Sequence, residues 1–116
     1  MTKLLIYIGE NQKFDIDATV KAISSMRGAL RPRRGNFIGS IFECEYRYAG
    51  RSTIVRISPE AETITAEGLG DESLVFALEL QEALPVALNA IDMECSFNVP
   101  LRDFQSLEQL KAVITV

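Results

Sequence analysis

At 116 residues, 47% of them hydrophobic and 24% charged, the chain has the length and composition of one globular domain over residues 1–116, and long disordered stretches are excluded. A chain this long buries about two-thirds of its unfolded surface, so it needs neither a disulfide nor a metal to fold. The net charge is −4 and there is no histidine, which excludes Ser-His-Asp and Cys-His nucleophile pairs and removes the commonest general base.

Lys3–Ile8 is apolar on both faces, Leu4, Ile6 and Ile8 alternating with Leu5 and Tyr7, which predicts a central strand. Its five apolar residues before Gly9 are too few for a signal-peptide core or a membrane span. A cytoplasmic protein without a membrane partner is therefore expected. Asp15 or Asp17 can cap a helix, which Ile16, Val20, Ile23 and Met26 place at about residues 16–27. Gly28 is its expected left-handed stop. Leu30–Gly35 reads as a loop, because Pro32 disfavours helix at Arg31 and Gly35 punctuates the end.

Asn36–Tyr48 and Arg51–Ser58 predict a hairpin around Ala49-Gly50. Pairing Tyr48 with Arg51 sets Tyr46 opposite Thr53, Cys44 opposite Val55 and Phe42 opposite Ile57 on one face. Glu43 then meets Arg56 on the other face, beside Glu45 and Arg47. Glu62–Glu67 follows as a third strand with Ile64 and Ala66 inward, ended by Gly68-Leu69-Gly70. Asp71 is the expected cap of a second helix, along which Leu74, Leu78 and Gln81 or Glu82 keep the helical period until Pro85. Val86–Ala90 predicts a further short helical piece.

Ile91–Val99 alternates Ile91, Met93, Cys95, Phe97 and Val99 with Asp92, Glu94, Ser96 and Asn98, which predicts a strand with one buried and one wet face, ended by Pro100. Ser106 and Gln109 have capping-box spacing and open a last helix with Leu107, Leu110 and Val113 or Ile114 inward. The order β-α-β-β-β-α-β-α predicts an α+β domain: a mainly antiparallel sheet of about five strands, with helices packed on one face. Its wet face would carry Glu43, Glu45, Arg47, Arg56, Asp92, Glu94, Ser96 and Asn98.

Cys44 and Cys95 are expected to be buried free thiols in a reducing compartment. Two distant cysteines without histidine make no zinc quartet, and no metal or cofactor is predicted. Glu43/Glu45 and Asp92/Glu94 are same-face carboxylate pairs, but such pairs on a wet strand face are ordinarily solvated, so no catalytic residue is assigned. Gly68-Leu69-Gly70 lacks the third glycine of a dinucleotide turn and the Gly-Lys-Ser/Thr of a P-loop, and Asp71 and Glu72 would repel phosphate.

Charge is segregated along the chain: −1 over residues 1–20, +6 over 21–56 and −9 from 57 onward. Such asymmetry suits steering toward a charged partner, unless the fold mixes the segments on one surface. Arg31, Arg33 and Arg34, near Arg27, form the densest basic cluster, and the planar arginine fork suits phosphate. A pI near 4.8 and the single nearby aromatic, Phe37, weigh against nucleic acid. A solvated loop, or an internal partner for the acidic C-terminal half, is the simpler role. The acids Glu72, Glu79 and Glu82 of the second helix, with Glu43, Glu45, Asp92 and Glu94, are the candidate acidic plate for a basic partner. Since Asp92 and Glu94 are expected on the wet face, replacing both with lysine should leave the fold intact.

The stretch from Phe42 to Ser58, with Thr63-Ile64, Gly68–Leu74 and the closing Phe104–Leu110, resembles the small immunity proteins of bacterial polymorphic-toxin and contact-dependent growth inhibition systems in size, acidity and element order. The resemblance implies a cytoplasmic, non-enzymatic antitoxin that binds and neutralises one cognate protein toxin, and it carries over no functional residue. Many such toxins are basic nucleases, onto which an acidic plate would dock by charge complementarity. Two alternatives stand beside it: a secretion chaperone or adaptor, and a protein that binds a small phosphorylated ligand through the arginine loop. A monomer or a homodimer is compatible with the sequence.

Overall fold

The hairpin around Ala49-Gly50 forms as its turn chemistry dictates. Both residues take positive φ, 51° and 82°, as the tight turn between right-twisted strands requires. The computed structural model describes residues 3–94 and 96–114. Within them, β3 (Ser40–Tyr48) and β4 (Arg51–Ile57) pair in the expected register, with Phe42 opposite Ile57, Glu43 opposite Arg56, Cys44 opposite Val55 and Tyr46 opposite Thr53. β5 (Thr63–Glu67) extends the meander with Ile64 and Ala66 inward, Ala66 lying opposite Val55.

β1 (Lys3–Tyr7) is an inner strand, flanked by β5 and by β6 (Asn89–Asp92). With β2 (Ala29–Phe37) and β7 (Asn98–Pro100) the sheet has seven strands in the order β2-β3-β4-β5-β1-β6-β7. Each described pairing is antiparallel. The fold is α+β, with α1 (Ile16–Ser24), α2 (Asp71–Ala83) and α3 (Leu107–Ile114). The strand residues Leu4, Ile6, Phe42, Cys44, Tyr46, Val55, Ile57, Ile64, Ala66 and Ala90 are buried with Ile23, Leu74, Phe76, Leu80 and Leu110 of the helices in one core. Strand alternation and helical stripes therefore meet on one side of the sheet.

The sheet exceeds the expected five strands for two reasons. First, Leu30–Gly35 is strand, not loop. Pro32 lacks a ladder donor, but β2 is an edge strand, where that loss is tolerated. Two register shifts against β3 and a positive φ of 50° at Arg31 absorb the remaining irregularity. The expected strand start at Asn36 instead belongs to β2, because a turn at Ile38-Gly39, with Gly39 at φ 79°, separates it from β3.

Second, Ile91–Val99 is not one strand. It splits into β6 and β7, an antiparallel pair with Ala90 opposite Val99. At Asp92 and Met93 the inward side is the reverse of that expected, Asp92 being 3% exposed and Met93 56%, whereas in β7 Val99 is buried and Asn98 exposed as expected. The Asp92 Oδ1 accepts the Ser96 N–H at 2.6 Å, a local bond that competes with strand pairing and turns the chain. The inward placement expected of Cys95 lies outside the described residues. Val86–Ala90 is not helical either. Gln81, buried on α2, donates to the Val86 carbonyl at 2.8 Å and accepts the Leu88 N–H at 2.7 Å, so the segment runs extended into β6.

The caps follow their chemistry, with local changes. The Asp15 Oδ1 accepts the Ala18 N–H at 3.1 Å and starts α1. α1 stops at Ser24 with Ser25 as its cap, so Gly28 is not its left-handed stop. Glycine is needed there because a Cβ would collide with the Arg47 carbonyl and crowd the Tyr46 ring. The N-cap of α2 is Gly70, one residue before the expected Asp71. At α3 the Ser106 Oγ accepts the Gln109 N–H at 3.2 Å, and Gln109 reaches back to the N–H of Gln105 at 2.8 Å.

Candidate functional site

The carboxylates and arginines singled out in the sequence separate into two layers. On the sheet face away from the core, β2 carries Arg31 and Arg33, β3 carries Glu43, Glu45 and Arg47, β4 carries Arg56 and β5 carries Glu67. They alternate in sign across the strands. Arg33 lies 3.6 Å from Glu43, Arg56 lies 3.9 Å from Glu43 and 2.8 Å from Glu67, and Glu45 sits between Arg31 at 3.6 Å and Arg47 at 3.4 Å. Arg34 turns instead to Asp17 of α1 at 2.7 Å. Arg33 also lies over the Phe37 ring, 5.3 Å from its centroid.

This geometry revises both expectations for the face. Glu43 and Glu45 do not form an acidic plate, because each is bracketed by arginines. Arg31, Arg33 and Arg34 do not form an open anion loop, because each faces a carboxylate. Their partners lie in the first half of the chain, not in the acidic C-terminal half. A shallow cavity of about 350 Å³ lies over this ladder, lined by Arg31, Arg33, Glu43, Glu45 and Ile54 among others. Its charges are already compensated. Arg31 and Arg33 are 83% and 66% exposed, so such pairs contribute little to stability, about 0–1 kcal/mol each.

The acids of α2 lie in the helix layer, across the sheet from that ladder. Glu79 accepts the hydroxyl of Tyr46, whose ring packs edge-on against Phe76 at 5.4 Å. Burial, followed by the bond to Glu79, pushes the Tyr46 hydroxyl well above its usual range. The sequence assigned Tyr46 to the core and Glu79 to a binding face. The signal for their union is that a buried tyrosine hydroxyl needs a partner. Glu72 lies over Gly70, with one carboxylate oxygen buried and lacking a hydrogen-bond partner among the described residues. Glu82 is exposed. Asp71, at the start of α2, meets Lys111 of α3 at 3.1 Å.

Asp92 does not belong to a wet face at all, being committed to the turn before β7, while Glu94 is exposed in that turn. The seven candidate acids therefore do not converge. Two lie in the arginine ladder, three on α2, one is buried and one sits on the β6–β7 turn. Among the described residues no three His, Cys, Asp or Glu side chains gather closely enough to hold a metal ion. Burial pushes the Cys44 thiol up to about 11, so at neutral pH it stays protonated and weakly nucleophilic. No helix among the described residues is long and apolar enough to cross a membrane. In comparisons with protein-family models, curated proteins and solved structures, none matches this chain.

Proposed function

We propose that this chain is a non-enzymatic binding protein of the toxin-immunity kind, which meets a basic protein domain with its helix layer. One observation carries the proposal: five of the seven arginines of the basic segment, Arg31, Arg33, Arg34, Arg47 and Arg56, lie in ion pairs with Asp17, Glu43, Glu45 and Glu67. The negative surplus therefore falls on the C-terminal elements. From residue 71 onward there are eight acids against Arg102 and Lys111. Glu72, Glu79 and Glu82 on α2, Asp103 on the 3₁₀ turn Leu101–Asp103 and Glu108 on α3 lie on elements that touch one another. A surface of that sign favours encounter with a basic partner and penalises acidic ones.

Glu82, Asp103 and Glu108 replace the sheet-face acids as the expected contacts. The test is co-purification with the product of the neighbouring upstream gene, at low and then moderate salt. A stoichiometric complex is expected, weakened about tenfold or more by Asp103→Lys with Glu108→Lys, both at exposed positions. A folded protein that captures nothing, or a complex indifferent to that double reversal, would defeat the proposal.

A further inference from the structure

The C-terminal half of α2 and the segment from Leu101 to Gln105 enclose a groove of about 460 Å³. Its apolar lining comes from Leu78, Leu84, Leu101 and Phe104; Leu84 and Leu101 are buried, while Leu78 and Phe104 remain half-exposed. Several polar groups along it are engaged. Both ends of the Gln81 amide are used on Val86 and Leu88. The Arg102 guanidinium donates to the Pro85 carbonyl, and the Gln105 N–H donates to Gln109. Glu82 alone among the charged side chains of the groove has no hydrogen bond or ion pair among the described residues.

A groove with apolar lining and an exposed carboxylate that makes no ion pair among the described residues matches a particular kind of side chain. Lysine and arginine bury their methylene stems along apolar surface while the charged head seeks an anion. We infer that this groove receives an arginine or lysine side chain of the partner protein, its stem over Leu78 and Phe104 and its cation against Glu82. The inference rests on the proposed docking of a basic protein and names where that partner anchors. Arginine seated in a pocket and rimmed by weaker contacts is one recurrent form of a binding hot spot. Arg102 also lines the groove and opposes the incoming cation, while its guanidinium donates to the Pro85 carbonyl.

The test is a titration of isotope-labelled protein, followed by amide chemical shifts, with N-acetyl-arginine methylamide. The norleucine and citrulline analogues serve as controls for apolar contact alone and for an uncharged head. Saturable shifts are expected at Leu78, Glu82, Phe104 and Gln105, with a dissociation constant on the order of millimolar for so small a probe. Glu82→Gln should weaken it about two- to fivefold, and Arg102→Gln, which keeps a donor for Pro85, should tighten it. Equal response to citrulline, indifference to Glu82→Gln, or shifts spread evenly over Glu94 and Glu108 would overturn the inference. The proposed function fails separately. A probe that seats while the upstream gene product does not bind keeps the groove and removes the immunity reading. A salt-sensitive complex with no saturable probe binding does the reverse.

Discussion

Gly28 is held in a gap that no other residue fits. Its carbonyl accepts the Arg47 N–H at 2.8 Å, and a Cβ would drive into the Arg47 carbonyl and the Tyr46 ring. Gly28→Ala should therefore destabilise the protein by about 1–3 kcal/mol, the usual cost of overpacking, seen as a lower urea midpoint. An unchanged midpoint would show that the two segments, at Gly28 and at Tyr46–Arg47, can part freely. Cys44 supplies a pH test at the same scale. The unfolded thiol titrates near 9 and the folded one near 11. Between those values the unfolded state has lost a proton that the folded state keeps, so stability falls as pH rises. Tyr46 adds a loss of the same sign above pH 10. Cys44→Val should show a shallower fall in melting temperature from pH 9 to 11, whereas a slope equal to that of the parent protein would assign the effect elsewhere.

At the scale of elements, the two ends of the sheet are blunted by different means. β2 carries Pro32, two register shifts and three arginines. β7 is three residues long and ends in Pro100. Both arrangements discourage edge-to-edge pairing with another chain. The β6–β7 hairpin hangs on Asp92, so the two acids expected to behave alike should behave oppositely. Asp92→Lys should cost about 3 kcal/mol or more, since it removes the bond to Ser96 and buries an uncompensated cation. Glu94→Lys, at an exposed position, should stay within about 0.5 kcal/mol. Chemical denaturation of the two single variants checks this directly, and similar midpoints would refute the turn assignment.

At the scale of the whole molecule, charge is distributed between two faces: a sheet face where opposite signs alternate, and a helix layer where acids prevail. A basic partner approaching the helix layer should associate with a rate constant that falls about tenfold between low and high salt, while the dissociation rate changes far less. Stopped-flow mixing across a salt series measures both. A flat association rate would mean that the partner is steered by something other than this layer. The ion pairs of the exposed Arg31 and Arg33 should contribute little to the stability of the fold, so salt should act mainly on association.

Much of the architecture was legible in local chemistry. The α+β class, the central place of β1, the β3–β4 register and the capping of α1 and α3 follow from turn residues, short-range periodicity and caps, which act within a few residues of themselves. The split of Ile91–Val99 was not legible, because alternation says which residues could share a face but not whether a neighbouring strand is there to pair with them. The candidate site was less legible still. The acidic excess of the C-terminal half is a property of composition. Its division among the arginine ladder, the buried Asp92, the β6–β7 turn and the helix layer depends on which carboxylates the arginines of β2 and β4 reach, and the groove that α2 forms with Leu101–Gln105 exists only in the packed chain. Local propensity and patterning belong to the sequence by itself; charge compensation and concavity belong to the tertiary structure alone, because they arise between residues that only the packed chain brings within a few ångströms.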